Sequence, residues 1–114
     1  MAKDDYDVIM AKILVYLYAR LKGKNKTPEI EFLHPLSKDF PVEEDYFYYT
    51  LDEMLESGYI RMHVTRAWGG DIVLRDIDGM KITHKGIEYL RDNSVMRKIA
   101  NTLPMAAAIF ELFQ

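Results

Sequence analysis

Three histidines, His34, His63 and His84, are the side chains best suited to bind a metal or carry a proton. They are far apart in the chain and make no H-x-x-H or H-E-x-x-H pattern, so their spacing predicts no metal site. Asp76-Ile77-Asp78-Gly79 has the opening of a calcium loop, but the glycine comes too early and the late glutamate is missing, so it reads as a turn. The chain has no cysteine and no G-x-S-x-G, and Ser37, Ser57 and Ser94 fall at caps or loops, where a hydroxyl has structural work. Glu43 and Glu44 are adjacent carboxylates at an exposed helix start, with nothing apolar around them to raise a pKa. Gly69-Gly70 is too short to cradle a phosphate, and no Lys-Ser/Thr follows it. No catalytic residue, metal or cofactor is therefore expected, and the chain does not read as an enzyme.

Charge is more informative than any single side chain. The net charge is −3, and its distribution is segmental. Between Asp39 and Gly58 stand the acids Asp39, Glu43, Glu44, Asp45, Asp52, Glu53 and Glu56, with no Lys or Arg among them. Arg20, Lys22, Lys24 and Lys26 form a basic stretch without an acid. Arg66 beside Trp68, then Lys81 and Lys85, make a second, sparser basic group. Segregation of this kind governs what can dock where.

The elements that carry these charges follow from periodicity and punctuation. A helix is expected from Asp4 to Leu21, with acids at its start and Arg20 and Lys22 at its end, both favourable to the helix dipole. Tyr6, Ile9, Met10, Ile13, Leu14, Leu17 and Leu21 form one apolar stripe, and Val8, Ala11, Val15 and Ala19 a second. Thr27-Pro28-Glu29 reads as the start of a short helix stopped by Pro35, against a competing short strand over Glu29–Phe32. A further helix runs from Val42 to Ser57, burying Tyr46 or Phe47 with Thr50, Leu51, Met54 and Leu55, and Gly58 is its left-handed cap. Tyr59 to Arg66 alternates as a strand, Ala67 to Asp71 is a hairpin loop, and Ile72 to Ile77 returns. Asp78-Gly79 is a turn, Met80 to Ile82 is extended, Thr83 caps another helix, and Ser94 caps a helix from Val95 to Leu103.

Helix, glycine cap, strand, glycine-rich turn and strand together predict an α+β winged helix (winged helix-turn-helix-like). It would have a three-helix core, a β-hairpin wing and one or two additional C-terminal helices. The expected division is a domain over residues 1–103 and an apolar tail over 104–114, in which only Glu111 and Gln114 are polar. The apolar stretch is shorter than the ~20 residues a membrane span needs, and no secretory signal is legible, so a cytoplasmic protein without a membrane span is expected. The second stripe of the first helix needs a cover, which is either the tail in the same chain or a second copy. In the latter case Val8, Val15 and Ala19 would meet Met105, Ile109, Phe110 and Phe113 in a homodimer.

The run from Met80 to Ile99 resembles the closing segment of the YjcQ-like family. In that pattern, roughly I-T-x-x-G-x-x-Y-L-x-x-N-S-x-M-x-K-I, Ile82, Thr83, Gly86, Tyr89, Leu90, Asn93, Ser94, Met96, Lys98 and Ile99 match. The loop Ala67-Trp68-Gly69-Gly70 and the opening Lys3-Asp4-Asp5-Tyr6-Asp7-Val8-Ile9 are similar as well. The resemblance implies a small winged helix of low-GC Gram-positive bacteria and their phages and prophages, with no established activity and no inherited site residues.

A winged helix commonly reads DNA with the helix that precedes the wing. Here that helix is acidic, and phosphates would repel Glu43, Glu44, Asp45, Asp52, Glu53 and Glu56. The expectation is a non-enzymatic interaction module that binds a protein through this acidic surface and through Arg66, Trp68, Gly69 and Gly70 at the wing. Trp68 is either exposed there or folded back on the sheet. The alternative is a small DNA-binding regulator, contacting phosphate with Arg20, Lys22, Lys24, Lys26, Arg66, Lys81 and Lys85.

Overall fold

The computed structural model describes residues 6–22, 42–67, 69 and 73–91. Among them are three helices, α1 (Tyr6–Leu21), α2 (Glu44–Glu56) and α3 (His84–Leu90), and four short strands, β1 (Ile60–Arg61), β2 (Val64–Arg66), β3 (Val73–Arg75) and β4 (Lys81–Ile82). The architecture is α+β and compatible with a winged helix. The expected segments at Thr27–Pro35, Val95–Leu103 and 104–114 lie outside the described residues, as do Trp68 and Gly70.

α1 is the centre of the molecule. It packs on α2, α3 and β4, and every residue from Val8 to Ala19 is buried. The second stripe is therefore covered within one copy of the chain, with Val8 at 2%, Val15 at 0% and Ala19 at 1% exposure, and the first is covered from Ile9 to Leu17 while Leu21 at its end is 58% exposed. This corrects the expectation that Val8, Val15 and Ala19 offer a face to a second copy. Lys12 is buried with them. A lysine can accompany an apolar helix inward because its methylene stem packs well, provided its ammonium is engaged, and Lys12 is not without a partner.

α2 buries Phe47, Thr50, Leu51 and Met54, one stripe at helical spacing, and leaves the rest of its surface half-buried or exposed. Buried Thr50 satisfies its hydroxyl by donating to the Tyr46 carbonyl at 2.9 Å. The helix ends as expected: Gly58 has φ 86°, the Gly58 N–H donates to Leu55 at 3.1 Å and the Tyr59 N–H to Met54 at 2.9 Å. That pair of bonds is a Schellman cap, which needs the left-handed residue glycine supplies.

The single strand expected from Tyr59 to Arg66 is two. β1 pairs antiparallel with β4, Ile60 opposite Ile82, and β2 pairs antiparallel with β3, Thr65 opposite Leu74. The break falls at Met62-His63. Across from these residues, the returning chain makes a turn at Asp76–Gly79, in which the Asp76 side chain accepts from the Gly79 N–H at 3.1 Å. The turn takes more residues than the gap it faces, so one ladder cannot continue through it and only the bond from the Asp76 N–H to the His63 carbonyl, 2.9 Å, spans the gap. The in–out alternation predicted for this stretch holds: Ile60 is buried, Met62 and Val64 are half-buried, and Arg61, His63 and Thr65 are exposed.

Candidate functional site

The acidic helix keeps its charge outward. Glu43, Glu44, Asp45 and Glu56 are exposed, and Asp52 and Glu53 are half-buried. At about 100° per residue, the side of α2 opposite Phe47, Thr50, Leu51 and Met54 is the line Asp45, Tyr49, Asp52, Glu56. Tyr48 flanks this line on one side and Glu53 on the other. Tyr49 is 57% exposed, among the most open of the large apolar side chains described.

Among the described residues one cation reaches this face, and it comes from the hairpin. Arg75 of β3 donates from Nε to Asp52 Oδ1 at 2.9 Å and from Nη2 to Oδ2 at 2.7 Å. Its guanidinium also lies over the Tyr48 ring, 4.8 Å from the centroid. The hydrogen bonds to Asp52 push the Arg75 pKa up, outweighing the burial that opposes them. Asp52 is therefore engaged within the molecule and is not available to a partner in the way Asp45 or Glu56 is. Sequence reading missed Arg75, because nothing local links it to an aspartate 23 residues earlier.

The other flank of α2 meets the start of α1. Burial raises the pKa of the Tyr6 hydroxyl, and the Glu53 carboxylate is the next cause, followed by Tyr49, Tyr59 and Asp7.

The basic residues are dispersed, and several are committed to the chain itself. Arg20 donates from Nη2 to the Asp78 carbonyl at 2.7 Å, and its Nη1 is buried without a partner among the described residues. Lys22 lies over the Tyr18 ring at 5.5 Å. Lys85 donates to the Ser57 carbonyl at 2.8 Å and covers the Tyr59 ring at 5.0 Å, so it neutralises the negative end of α2. Arg66 and Lys81 are exposed. Lys24 and Lys26 lie outside the described residues. A cavity of about 240 Å3 lies between the end of α1 and β4, with Arg20, Asp78 and Lys81 among its lining residues. Of the expected wing contacts, Arg66 ends β2 and Gly69 is exposed with φ 92°.

His63 and His84 are exposed, and His84 stands 3.4 Å from Glu88, one turn along α3. Among the described residues no group of three or more His, Asp or Glu side chains is placed to hold a metal ion. Nor is any described helix long and apolar enough to cross a membrane.

The profile of the family described as YjcQ protein matches residues 11–107. The chain belongs to the YjcQ family. Neither a curated protein nor a solved structure matches it. The structure explains several positions of the signature on which the YjcQ resemblance rests. Ile82 is buried opposite Ile60. The Thr83 hydroxyl accepts from the Gly86 N–H at 3.2 Å, capping α3, and donates to the Gly58 carbonyl. Gly86 lies where a Cβ would come 2.5 Å from the Tyr59 carbonyl oxygen and 2.8 Å from Ile82. Tyr89 packs on Tyr59 with ring centroids 5.4 Å apart, and Leu90 is fully buried. In this YjcQ chain these residues fasten α3 to the end of α2 and to β1. They are a structural clasp.

Proposed function

We propose that this YjcQ chain is a non-enzymatic winged-helix module, with β2 and β3 as the wing, that binds another protein through the open face of α2. One observation carries the reading. The face of α2 opposite the core presents Asp45, Tyr49 and Glu56, and the one cation placed against it among the described residues, Arg75, is already paired with Asp52. Affinity for duplex DNA comes chiefly from Lys and Arg on phosphate. A surface of free carboxylates in that position repels the duplex and attracts a basic polypeptide. Arg20, Lys22 and Lys85 support the same reading, since each is held against its own chain.

The alternative is a DNA-binding regulator that uses exposed Arg66 and Lys81 with Lys24 and Lys26. Anisotropy of a labelled random duplex, titrated at low salt, separates the two. The expected result is no binding tighter than the ~10⁻⁴–10⁻⁶ M of weak nonspecific contacts. Nanomolar, salt-sensitive binding abolished by Arg66→Ala would reverse the assignment. Phage or prophage origin fits a small interaction module of this kind, and the neighbouring genes would test it.

A further inference from the structure

α2 carries the same pair of residue types twice, in consecutive registers. Tyr48 and Asp52 are four residues apart, and so are Tyr49 and Glu53. Residues at that spacing are neighbours on a helix surface. The first pair is occupied: the Arg75 guanidinium is hydrogen-bonded to Asp52 through two nitrogens and laid over the Tyr48 ring. The second pair is turned away from the hairpin, and no described cation occupies it, although Glu53 is half-buried. Tyr49 is more than half exposed, with Asp45 one turn before it and Glu56 two turns after, both exposed.

We propose that the Tyr49 face of α2, bounded by Asp45, Glu53 and Glu56, is a docking surface for an arginine-bearing basic segment of another protein. The proposal rests on the protein-binding reading above and narrows it to a partner chemistry. Charge complementarity selects a basic segment, because no Lys or Arg belongs to α2 itself. Geometry selects arginine over lysine. A planar guanidinium can sit over a phenol ring while its nitrogens meet a carboxylate, as Arg75 does with Tyr48 and Asp52, whereas an ammonium is a hydrated point charge that does only one of these well. The phenol hydroxyls of Tyr6 and Tyr49 border the same surface, and the charge of Glu53 is felt at Tyr6. On α2 itself the exposed Tyr49 ring stands with Asp45 one turn before it and Glu53 one turn after, so the face offers an aromatic ring together with carboxylates.

The test is a calorimetric titration of the full chain with a blocked tetra-arginine peptide and with its tetra-lysine counterpart, with the ring-proton resonances of Tyr49 as a local probe in the parent chain. Tetra-arginine should bind more tightly, by about fivefold or more, and Tyr49→Leu should remove that advantage. Glu53→Gln, a conservative change at a partly open position, should weaken both peptides. Leu74→Ser, on the outer side of the hairpin, should change neither. Equal affinities for the two peptides, or an arginine preference that survives Tyr49→Leu, would overturn the guanidinium seat and leave the acidic-surface reading standing. Absence of binding by both peptides, or binding of random duplex in their place, would overturn both. Self-association of the chain at the same concentrations, lost in Tyr49→Leu, would assign the face to a second copy instead.

Discussion

Arg75 and Asp52 show how much of one side chain's behaviour is decided far away in the sequence. The pair is two-pronged, and its side chains are 18% and 48% exposed, so solvent screens some of its attraction. A double-mutant cycle with Arg75→Ala and Asp52→Ala should therefore give a coupling of about 1 kcal/mol by urea denaturation. Amide exchange in β2 and β3 should rise more than in α1, because the pair ties the hairpin to α2. Tyr6 supplies a pH-dependent counterpart. Burial and then the Glu53 charge raise its pKa above the ordinary 10.0, so the folded protein keeps this proton to higher pH than the unfolded chain does. Its contribution is full below the unfolded value and is lost as pH rises through the folded one. Stability should fall as pH climbs above ~10, and Tyr6→Phe should flatten that fall. Unfolding curves of the two proteins across this range are the check. The acids of α2 were legible in the sequence because charge can be counted along a helix. The use of Asp52 was not, since its partner arrives only when the hairpin folds back, and nothing local distinguishes Tyr49 from the other aromatics of α2.

The clasp around Thr83 and Gly86 belongs to the scale of elements. It joins the cap of α2, the strand β1 and the start of α3 in a few residues: the Thr83 N–H donates to the Tyr59 carbonyl at 3.1 Å, and its hydroxyl serves both α3 and Gly58. Thr83→Ala removes a helix cap and a donor to a carbonyl, and should cost about 1–2 kcal/mol. Thr83→Ser keeps the hydroxyl and should restore most of that. Gly86→Ala is the harsher change, because its Cβ would meet backbone at 2.5 Å and not merely the movable end of a side chain. α3 would have to lift from β1, at about 2–3 kcal/mol, measurable as a lowered denaturation midpoint with α3 amides exposed first. The two helix–cap junctions, at Gly58 and Thr83, could be read from the sequence because capping chemistry is local. The continuous strand over Tyr59 to Arg66 could not be corrected there. Its interruption is set by the length of the Asp76–Gly79 turn opposite Met62-His63, a non-local mismatch that alternation within one segment does not record.

At the scale of the molecule, the decisive fact is that α1 is enclosed. An amphipathic helix at the edge of a small domain leaves one side free, and the two apolar stripes of α1 invited a second copy to cover it. In the structure the helix is the core, and Ala11, Lys12, Val15, Tyr16 and Ala19 are as hidden as Ile13 and Leu14. The two arrangements differ in what a charge placed on the second stripe does. At a dimer seam, Val15→Asp would drive folded protomers apart. In an enclosed core it places a carboxylate out of water, three residues from buried Lys12, whose ammonium is already engaged, at a cost of about 3–5 kcal/mol, a large share of the ~5–15 kcal/mol that holds a domain together. Circular dichroism and sedimentation velocity distinguish them. The expectation for Val15→Asp is loss of the cooperative thermal transition with no folded, slower-sedimenting species, whereas Tyr49→Leu, on the open side of α2, should keep the transition of the parent chain. A well-folded Val15→Asp protomer half the mass of the parent species would instead show that the stripe faces a second copy. With α1 enclosed, the face of α2 opposite the core and the hairpin beside it are left as the surfaces on which the proposed contacts with other molecules are to be sought.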